Sequence, residues 1–402
     1  MGITVNSLTQ EQYDQWTFAM LQTFEGIEDT AYVDTNGFPT IGIGFRIDKT
    51  NIPFILDGMG YANSPHLGAL QSAIVKAETD VCFAPGSAGA EDALNRAVNS
   101  VLGTNYGSAA AGNFGYGNNT GTSGQTAIQQ MDATFQLLRQ QTEDKLNAWL
   151  AYGPSGTTLP PSMERAALFS LTYNGLIGMD PIDNKPYSPR LQNAITSGDR
   201  AEAWYQIRYQ SNGGNGGVAI AQRRYEESQI FGLFQNPSDP SLSGAVQAYQ
   251  MLTAHRTTID PYESQYGSKA ATQNNGILAA DNSYAAALTA AATANNINVG
   301  VITPVQTLEQ ALGPAEAKLM KAVDTEYGSL LSGFTPSNSV DIYLNPGRLN
   351  SLYSVSSSYS YDLNASASSG NDLLIASTGS TERRILGQGG QAINCVTHYG
   401  EI

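Results

Sequence analysis

The segment EGIEDTAYVDTNGFPTIGIG, residues 25 to 44, constrains the fold more than any other, because the pattern changes there from helical to alternating around one turn. Upstream, SLTQEQYDQWTFAMLQTF places Leu8, Trp16, Ala19, Met20 and Phe24 at roughly helical spacing, with Ser7 or Thr9 where a cap belongs. A helix is therefore expected to end at Glu25, with Gly26 letting the chain leave it. Thr30 to Asp34 alternate as a strand does, Thr35-Asn36-Gly37 supplies the positive φ of a hairpin turn, and Phe38 to Gly44 return as a second strand. Gly42 and Gly44 remove side chains from the returning strand, which suits close approach of backbone or ligand. A helix feeding directly into a tight hairpin belongs to an α+β fold.

The same segment carries acid chemistry. Hydrolysis of a glycosidic bond needs a carboxylic acid that keeps its proton near neutral pH, and a second carboxylate across the sugar that activates water or attacks directly. A helix-end Glu25 facing a hairpin Asp34 meets that need. Phe24, Ile27 and Ile41 are expected to desolvate Glu25, whereas Asp34 beside a turn stays wet. Thr40 offers a hydroxyl across the hairpin that would hold a water. The competing reading is a solvated polar rim.

The pattern E-G, then Y-x-D-T-x-G, then T-I-G-I-G resembles the active-site segment of phage-type lysozymes, glycoside hydrolase family 24. That resemblance implies Glu25 as general acid, Asp34 as the residue that positions or deprotonates water, and Thr40 as its helper. Phe45 departs from the pattern, standing where the motif commonly has His. A second segment, ERAALFSLTYNGLIG at 164 to 178, resembles the central helix of the family's second lobe. A third, from 189 to 234, resembles the end of these enzymes, with a G-D turn, an amphipathic helix, a glycine loop and R-R-x-x-E. By resemblance Tyr173, Asn174, Ser188 and Arg224 become substrate contacts. Two alternatives stand beside this: Leu168, Leu171 and Tyr173 as core, and Arg223 or Arg224 in surface salt bridges, including pairs with Glu226 and Glu227.

The chain has 402 residues, more than one lobe pair of this family requires, so two or three domains are expected. Its formal net charge of -15 argues against nucleic acid, whose phosphates need a basic patch. An acidic protein also gains no electrostatic capture by an anionic wall, so specific sugar contacts or delivery must serve instead. No apolar run of about 18 residues suggests a membrane span. MGITVNSLTQEQ lacks a basic start and an apolar run, so no secretory signal peptide is read there. Cys82 and Cys395 are too sparse for a disulfide scaffold and are expected as free thiols. His66, His255 and His398 show no metal-ligand spacing, and neither a metal nor a cofactor is expected.

Residues 103 to 126, GTNYGSAAAGNFGYGNNTGTSGQT, read as a long Gly, Asn and Ser loop, flanked by helices at 66 to 82, 90 to 102 and 126 to 151. Phe114 and Tyr116 on that loop would either stack on sugar rings or be surface aromatics without a role. Asn236-Pro237-Ser238-Asp239-Pro240 marks a domain boundary, separating a catalytic domain, 1 to 238, from an accessory module, 239 to 402. In that module helices are expected at 241 to 256, 277 to 294 and 305 to 333, and strands between 338 and 380. Ser369-Gly370-Asn371-Asp372 resembles a single calcium-binding repeat-in-toxin turn, but one copy reads as a hairpin turn.

The expected protein is thus an α+β, mostly α, lysozyme-like enzyme with a separate α+β module. It would be a muramidase cutting the β-1,4 bond between N-acetylmuramic acid and N-acetylglucosamine in peptidoglycan, inverting and needing no cofactor. Two settings fit: a phage lysozyme, or an antibacterial effector made in the cytoplasm and delivered to the wall. Residues 239 to 402 would then bind an immunity protein or a secretion or tail component. A catalytically inactive wall-binding protein and a chitinase-like glycosidase are the alternatives.

Overall fold

A computed structural model describes residues 2–34, 37–80, 89–109, 111–117, 125–153, 156–211, 217–267, 290, 305–327, 336, 340, 342–344, 365–366, 372–376, 384–385 and 392–396. The protein is α+β and mostly helical. It divides into two compact units. One comprises Gln10–Lys145 and Ala287–Gly300; the other comprises Met1–Thr9, Leu146–Ala286 and Val301–Ile402. We call them the hairpin unit and the helical unit.

In the hairpin unit, α1 (Gln10–Glu25) leads into a three-stranded antiparallel sheet of β1 (Glu28–Val33), β2 (Pro39–Gly42) and β3 (Phe45–Arg46). The helix stops where expected, and the chain turns at Gly26, φ 78°. The short strand β3 is an addition to the expected hairpin. Then follow α2 (Ile52–Leu56), a wider π turn at Asp57–Tyr61, α3 (Leu67–Asp80), α4 (Gly89–Leu102) and α5 (Ala127–Ala151), whose residues from Leu146 on belong to the helical unit. Helix α1 buries Tyr13, Trp16, Phe18, Met20 and Leu21. Phe18 packs on Phe135 of α5 at 5.4 Å between ring centroids, and the Tyr13 hydroxyl donates to Glu143 Oε1 at 2.6 Å. Arg139 pairs with Asp14 alongside. These ties between α1 and α5 fix the helix whose last residue is Glu25.

The described part of the Gly and Asn tract, up to residue 117, is built into this unit. Asn95 Oδ1 of α4 accepts the Phe114 amide at 2.8 Å, and Asn99 Oδ1 accepts the Tyr106 amide at 2.9 Å. Residues 114 to 116 then bond to the outer edge of β1: Ala31 N donates to Phe114 O at 3.2 Å, and Tyr116 N donates to Asp29 O at 2.7 Å. Gly115 makes this possible, since a Cβ there would lie 2.2 Å from the Asp29 carbonyl oxygen. Phe114 and Tyr116 are each 1% exposed. Both expectations for them are corrected: they are core side chains, not loop aromatics, because the tract pairs with a strand instead of running over the surface.

In the helical unit, α6 (Met163–Tyr173) is capped by Ser162, whose Oγ accepts the Arg165 amide at 3.1 Å. Next come α7 (Pro189–Ser197), α8 (Arg200–Tyr205) with a π turn at Gln206–Gln210, α9 (Gly217–Phe231), α10 (Leu242–Tyr266) and α11 (Leu308–Tyr327). Glu164, fully buried, accepts from both nitrogens of Asn6 and pairs with Arg200, tying the first residues of the chain to this unit.

Helix α10 packs against α8 and α9, so the break read at Asn236 to Pro240 falls inside this unit. Its anchor is Glu263, whose Oε1 accepts from the Tyr209 hydroxyl at 2.7 Å and the Tyr225 hydroxyl at 2.8 Å. Arg208 Nε lies 3.4 Å from the same oxygen, while its guanidinium sits 3.7 Å from the Tyr225 ring centroid.

Among the described residues, five short strands follow: β4 (Ile342–Leu344), β5 (Ala365–Ser366), β6 (Asp372–Ala376), β7 (Arg384–Ile385) and β8 (Ala392–Val396). They pair in parallel, in the orders β4-β6-β8 and β5-β7. Parallel neighbours require crossovers. Up to Asp372, the expected turn at Ser369 to Asp372 lies outside the described residues. Gly370 and Asn371 lie outside the described residues, as do Cys82, the side chain of Cys395 and, apart from Ala290, the expected helix at 277 to 294.

Candidate active site

The candidate site is the junction of α1 with the β1–β2 hairpin. Antiparallel pairing sets Tyr32 opposite Thr40 and Val33 opposite Pro39, with an irregularity between Glu28 and Tyr32. Directly paired residues share a face of the sheet, as do residues two apart on one strand. Tyr32 and Thr40 therefore lie on the same side, and Asp34 follows the last residue of β1.

Asp34 and Thr40 meet through the backbone of Phe38. The Phe38 amide donates to Asp34 Oδ1 at 2.8 Å, and the Phe38 carbonyl accepts both the Asp34 amide at 2.9 Å and the Thr40 hydroxyl at 3.1 Å. Asp34 thus holds the turn with its own carboxylate, which is the ordinary use of Asp at such a position. Thr40 is buried, and its hydroxyl proton is committed to Phe38, leaving its oxygen as an acceptor.

The charge of Glu25 bears on the neighbouring Tyr32. Burial raises the phenol's pKa first, and then, in decreasing order, the negative charges of Glu25, Glu28 and Asp34 raise it further. The phenol is neutral throughout the physiological range, in the field of three carboxylates. Sequence reasoning missed Tyr32. The available signal was its position two residues before Asp34. The expected apolar wall around Glu25 is incomplete, because Ile27 is 44% exposed and Glu25 itself is only partly buried. Phe38 is also at the surface, with the Arg46 guanidinium 3.7 Å from its ring centroid.

Gly42, at φ 70°, leaves room for the protein's own aromatics: a Cβ there would lie 2.8 Å from the Phe45 ring and 3.1 Å from that of Tyr116. Phe45, at the position where the lysozyme motif has His, is 3% exposed and belongs to the core.

The four expected substrate contacts belong to the helical unit. Asn174 closes α6, its Nδ2 donating to the Ser170 carbonyl at 3.1 Å, and it is exposed, while Tyr173 is partly exposed. Ser188 is a left-handed residue, φ 52°, whose hydroxyl donates to the Leu176 carbonyl at 3.0 Å. Arg224 is 1% exposed and pairs with the fully buried Glu227. Arg223 joins the same carboxylate through Nε at 3.1 Å, and the Ser170 hydroxyl donates to it at 2.5 Å. The R-R-x-x-E motif is thus a buried two-cation, one-anion cluster instead of the surface salt bridge weighed from sequence. Tyr173 and Asn174 keep accessible surface; Arg224 does not.

Comparisons with protein-family models, with curated proteins and with solved structures found no match. Among the described residues no group of three or more His, Cys, Asp or Glu is placed to hold a metal ion, and no helix is long and apolar enough to cross a membrane.

Proposed function

We propose that the protein is a peptidoglycan hydrolase of the lysozyme type, cutting the β-1,4 bond between N-acetylmuramic acid and N-acetylglucosamine with inversion. What supports this reading is that Asp34 and Thr40 share the Phe38 peptide, and that the negative charges of Glu25 and Asp34 both raise the pKa of the Tyr32 phenol. The motif resemblance across 25 to 44 supplies the substrate. Glu25, on a helix end fixed by α5, protonates the leaving oxygen. A water donates one proton to Asp34 and the other to the Thr40 oxygen, which keeps a lone pair of the water aimed at the anomeric carbon. Tyr32, neutral in the field of Glu25, Glu28 and Asp34, adds no charge to their mutual repulsion.

In this reading the enzyme works on the bacterial wall as a phage lysozyme or a delivered effector, with residues beyond 238 serving a loading or immunity partner. Glu25→Gln keeps the shape but removes the acid, so wall hydrolysis falls by about 10²-fold or more while the circular dichroism spectrum is unchanged. Retention of the wild-type rate would sink the assignment.

A further inference from the structure

Arg46 is the first basic residue of the chain; every charged side chain before it is acidic, Glu25, Glu28, Asp29 and Asp34 of the hairpin region included. The sheet register sets its place. Tyr32 pairs with Thr40 and Thr40 with Arg46, so these residues form one row across the three strands and share a face. Phe38 precedes Thr40 by two residues, and the Arg46 guanidinium lies over its ring, 3.7 Å from the centroid. The Phe38 peptide is the one that bonds both Asp34 and Thr40. A cation is therefore anchored on the residue that joins the carboxylate and the hydroxyl of the candidate site.

Two contacts brace that cation. One is the Phe38 ring. The other is Asp48, whose Oδ2 lies 3.7 Å from Arg46 Nε, a charge contact beyond hydrogen-bond range. The Asp48 Oδ1 is engaged by the Thr50 and Asn51 amides at 2.8 and 2.9 Å, so this carboxylate serves the start of α2. Stacking occupies the face of a guanidinium and leaves its in-plane donors for a planar acceptor, the geometry that suits a carboxylate. A surface arginine ordinarily loses rotamer freedom when it takes a ligand; one already braced on a ring has lost part of it beforehand.

We propose that Arg46, braced on Phe38, selects a sugar that carries a carboxylate on its arm, and so a muramic acid glycan over a plain N-acetylglucosamine polymer. The inference rests on the reading of the hairpin as a glycan-cutting site. N-acetylmuramic acid differs from N-acetylglucosamine by a lactyl ether, whose carboxyl is either free or extended by a peptide with carboxyls of its own. A plain N-acetylglucosamine polymer offers the guanidinium no charge to meet. In a chain of net charge -15, a cation at this position also offsets the repulsion of an anionic substrate where it must approach closest.

The test uses the full chain carrying Glu25→Gln, so that the probes stay uncut, and calorimetric titration with a tetrasaccharide of alternating N-acetylglucosamine and N-acetylmuramic acid. The probe is offered with its lactyl carboxyls free, converted to primary amides, or extended by an alanyl-glutamate dipeptide. At low salt a charged form should bind about tenfold tighter than the amide form, one charge-assisted hydrogen bond of ordinary strength. Whichever charged form gains shows whether the carboxylate is the lactyl one or the peptide's. Added salt should shrink the preference. Arg46→Gln should erase it, and Phe38→Leu, which keeps the peptide but removes the ring, should cut it to about threefold, since an exposed cation–π contact is worth about that factor. Circular dichroism checks that each variant is folded. No preference with Arg46 in place, a preference that survives Arg46→Gln, or no binding of any form would overturn the proposal. Hydrolysis by the wild-type chain is measured separately on peptidoglycan. Cutting without an Arg46-dependent preference sinks this inference alone, and such a preference without cutting sinks the hydrolytic reading alone.

Discussion

Replacing Glu263 by Ala tests what joins α10 to the rest of the helical unit. The substitution removes the acceptor of two buried phenols, at 2.7 and 2.8 Å, and the carboxylate 3.4 Å from Arg208 Nε. Removing one partner of a buried pair costs about 3–5 kcal/mol, mostly because the other charge is left without compensation. Arg208 retains some compensation. Its Nη2 still donates to the Gln306 carbonyl at 3.0 Å, and its guanidinium still lies against Tyr225 and Trp204. The loss should therefore fall at the low end, about 3 kcal/mol. With a urea slope of about 2 kcal/mol per molar, the midpoint of unfolding drops by about 1.5 M. Glu263→Gln, which keeps one acceptor oxygen but loses the charge, should lose about half as much. Arg208→Met combined with Glu263→Met should recover only the share due to the orphaned charge, since the Tyr209 and Tyr225 hydroxyls still lose their acceptor. A midpoint for Glu263→Ala within about 0.3 M of wild type would refute the argument, and so would a double variant less stable than the single one.

Other outcomes follow from the same physics. A chain ending at Ser238 lacks Glu263 and the whole of α10, so it should unfold at lower temperature than the full chain and bind a hydrophobic dye; a full-length melting temperature would contradict this. Gly115→Ala forces a Cβ against the Asp29 carbonyl and should cost about 3 kcal/mol by denaturant unfolding, with wall hydrolysis falling in parallel as β1 shifts. Burial holds the Asp132 carboxyl above its ordinary pKa, so its contribution to stability is present below the unfolded value of about 4 and is lost as pH rises through the folded one. Asp132→Asn should accordingly raise the melting temperature at neutral pH and give no gain at about pH 3. Burial also pushes Tyr262 up to about 12 and Tyr209 well above the usual range. Such phenols stabilise the fold below about pH 10 and cease to do so as pH climbs past it, so the helical unit should unfold together with a rise in tyrosinate absorbance between about pH 10 and 12.

Local signals in the sequence were sufficient for the helix ending at Glu25, the hairpin after it and the helices α3, α4 and α5, but not for the last ten residues of α10, which continue past the expected end at 256 to Tyr266. Each rests on neighbours a few residues apart. What was not legible depends on distant pairing. The tract at 103 to 117 reads as a low-complexity loop until Asn95 and Asn99, one helical turn apart on α4, take hold of it. The alternation of Phe114 and Tyr116 with glycines was the available sign of a strand edge. The two arginines before Glu226 and Glu227 read as surface charges because side-chain spacing along α9 does not reveal that Ser170 of α6 covers them. Parallel pairing of β4, β6 and β8 leaves no turn signature, unlike a hairpin, and the anchoring of α10 through Glu263 lies beyond the Pro-rich break that looked like a boundary.

The central claim is hydrolysis of one particular bond, and mass spectrometry of fragments released from purified peptidoglycan tests it most directly. The account predicts soluble fragments, each cut adding one water and leaving a reducing end on N-acetylmuramic acid, produced by the wild-type chain and not by Glu25→Gln. Reducing ends on N-acetylglucosamine, anhydro ends without added water, or no release by a folded wild-type chain would contradict it.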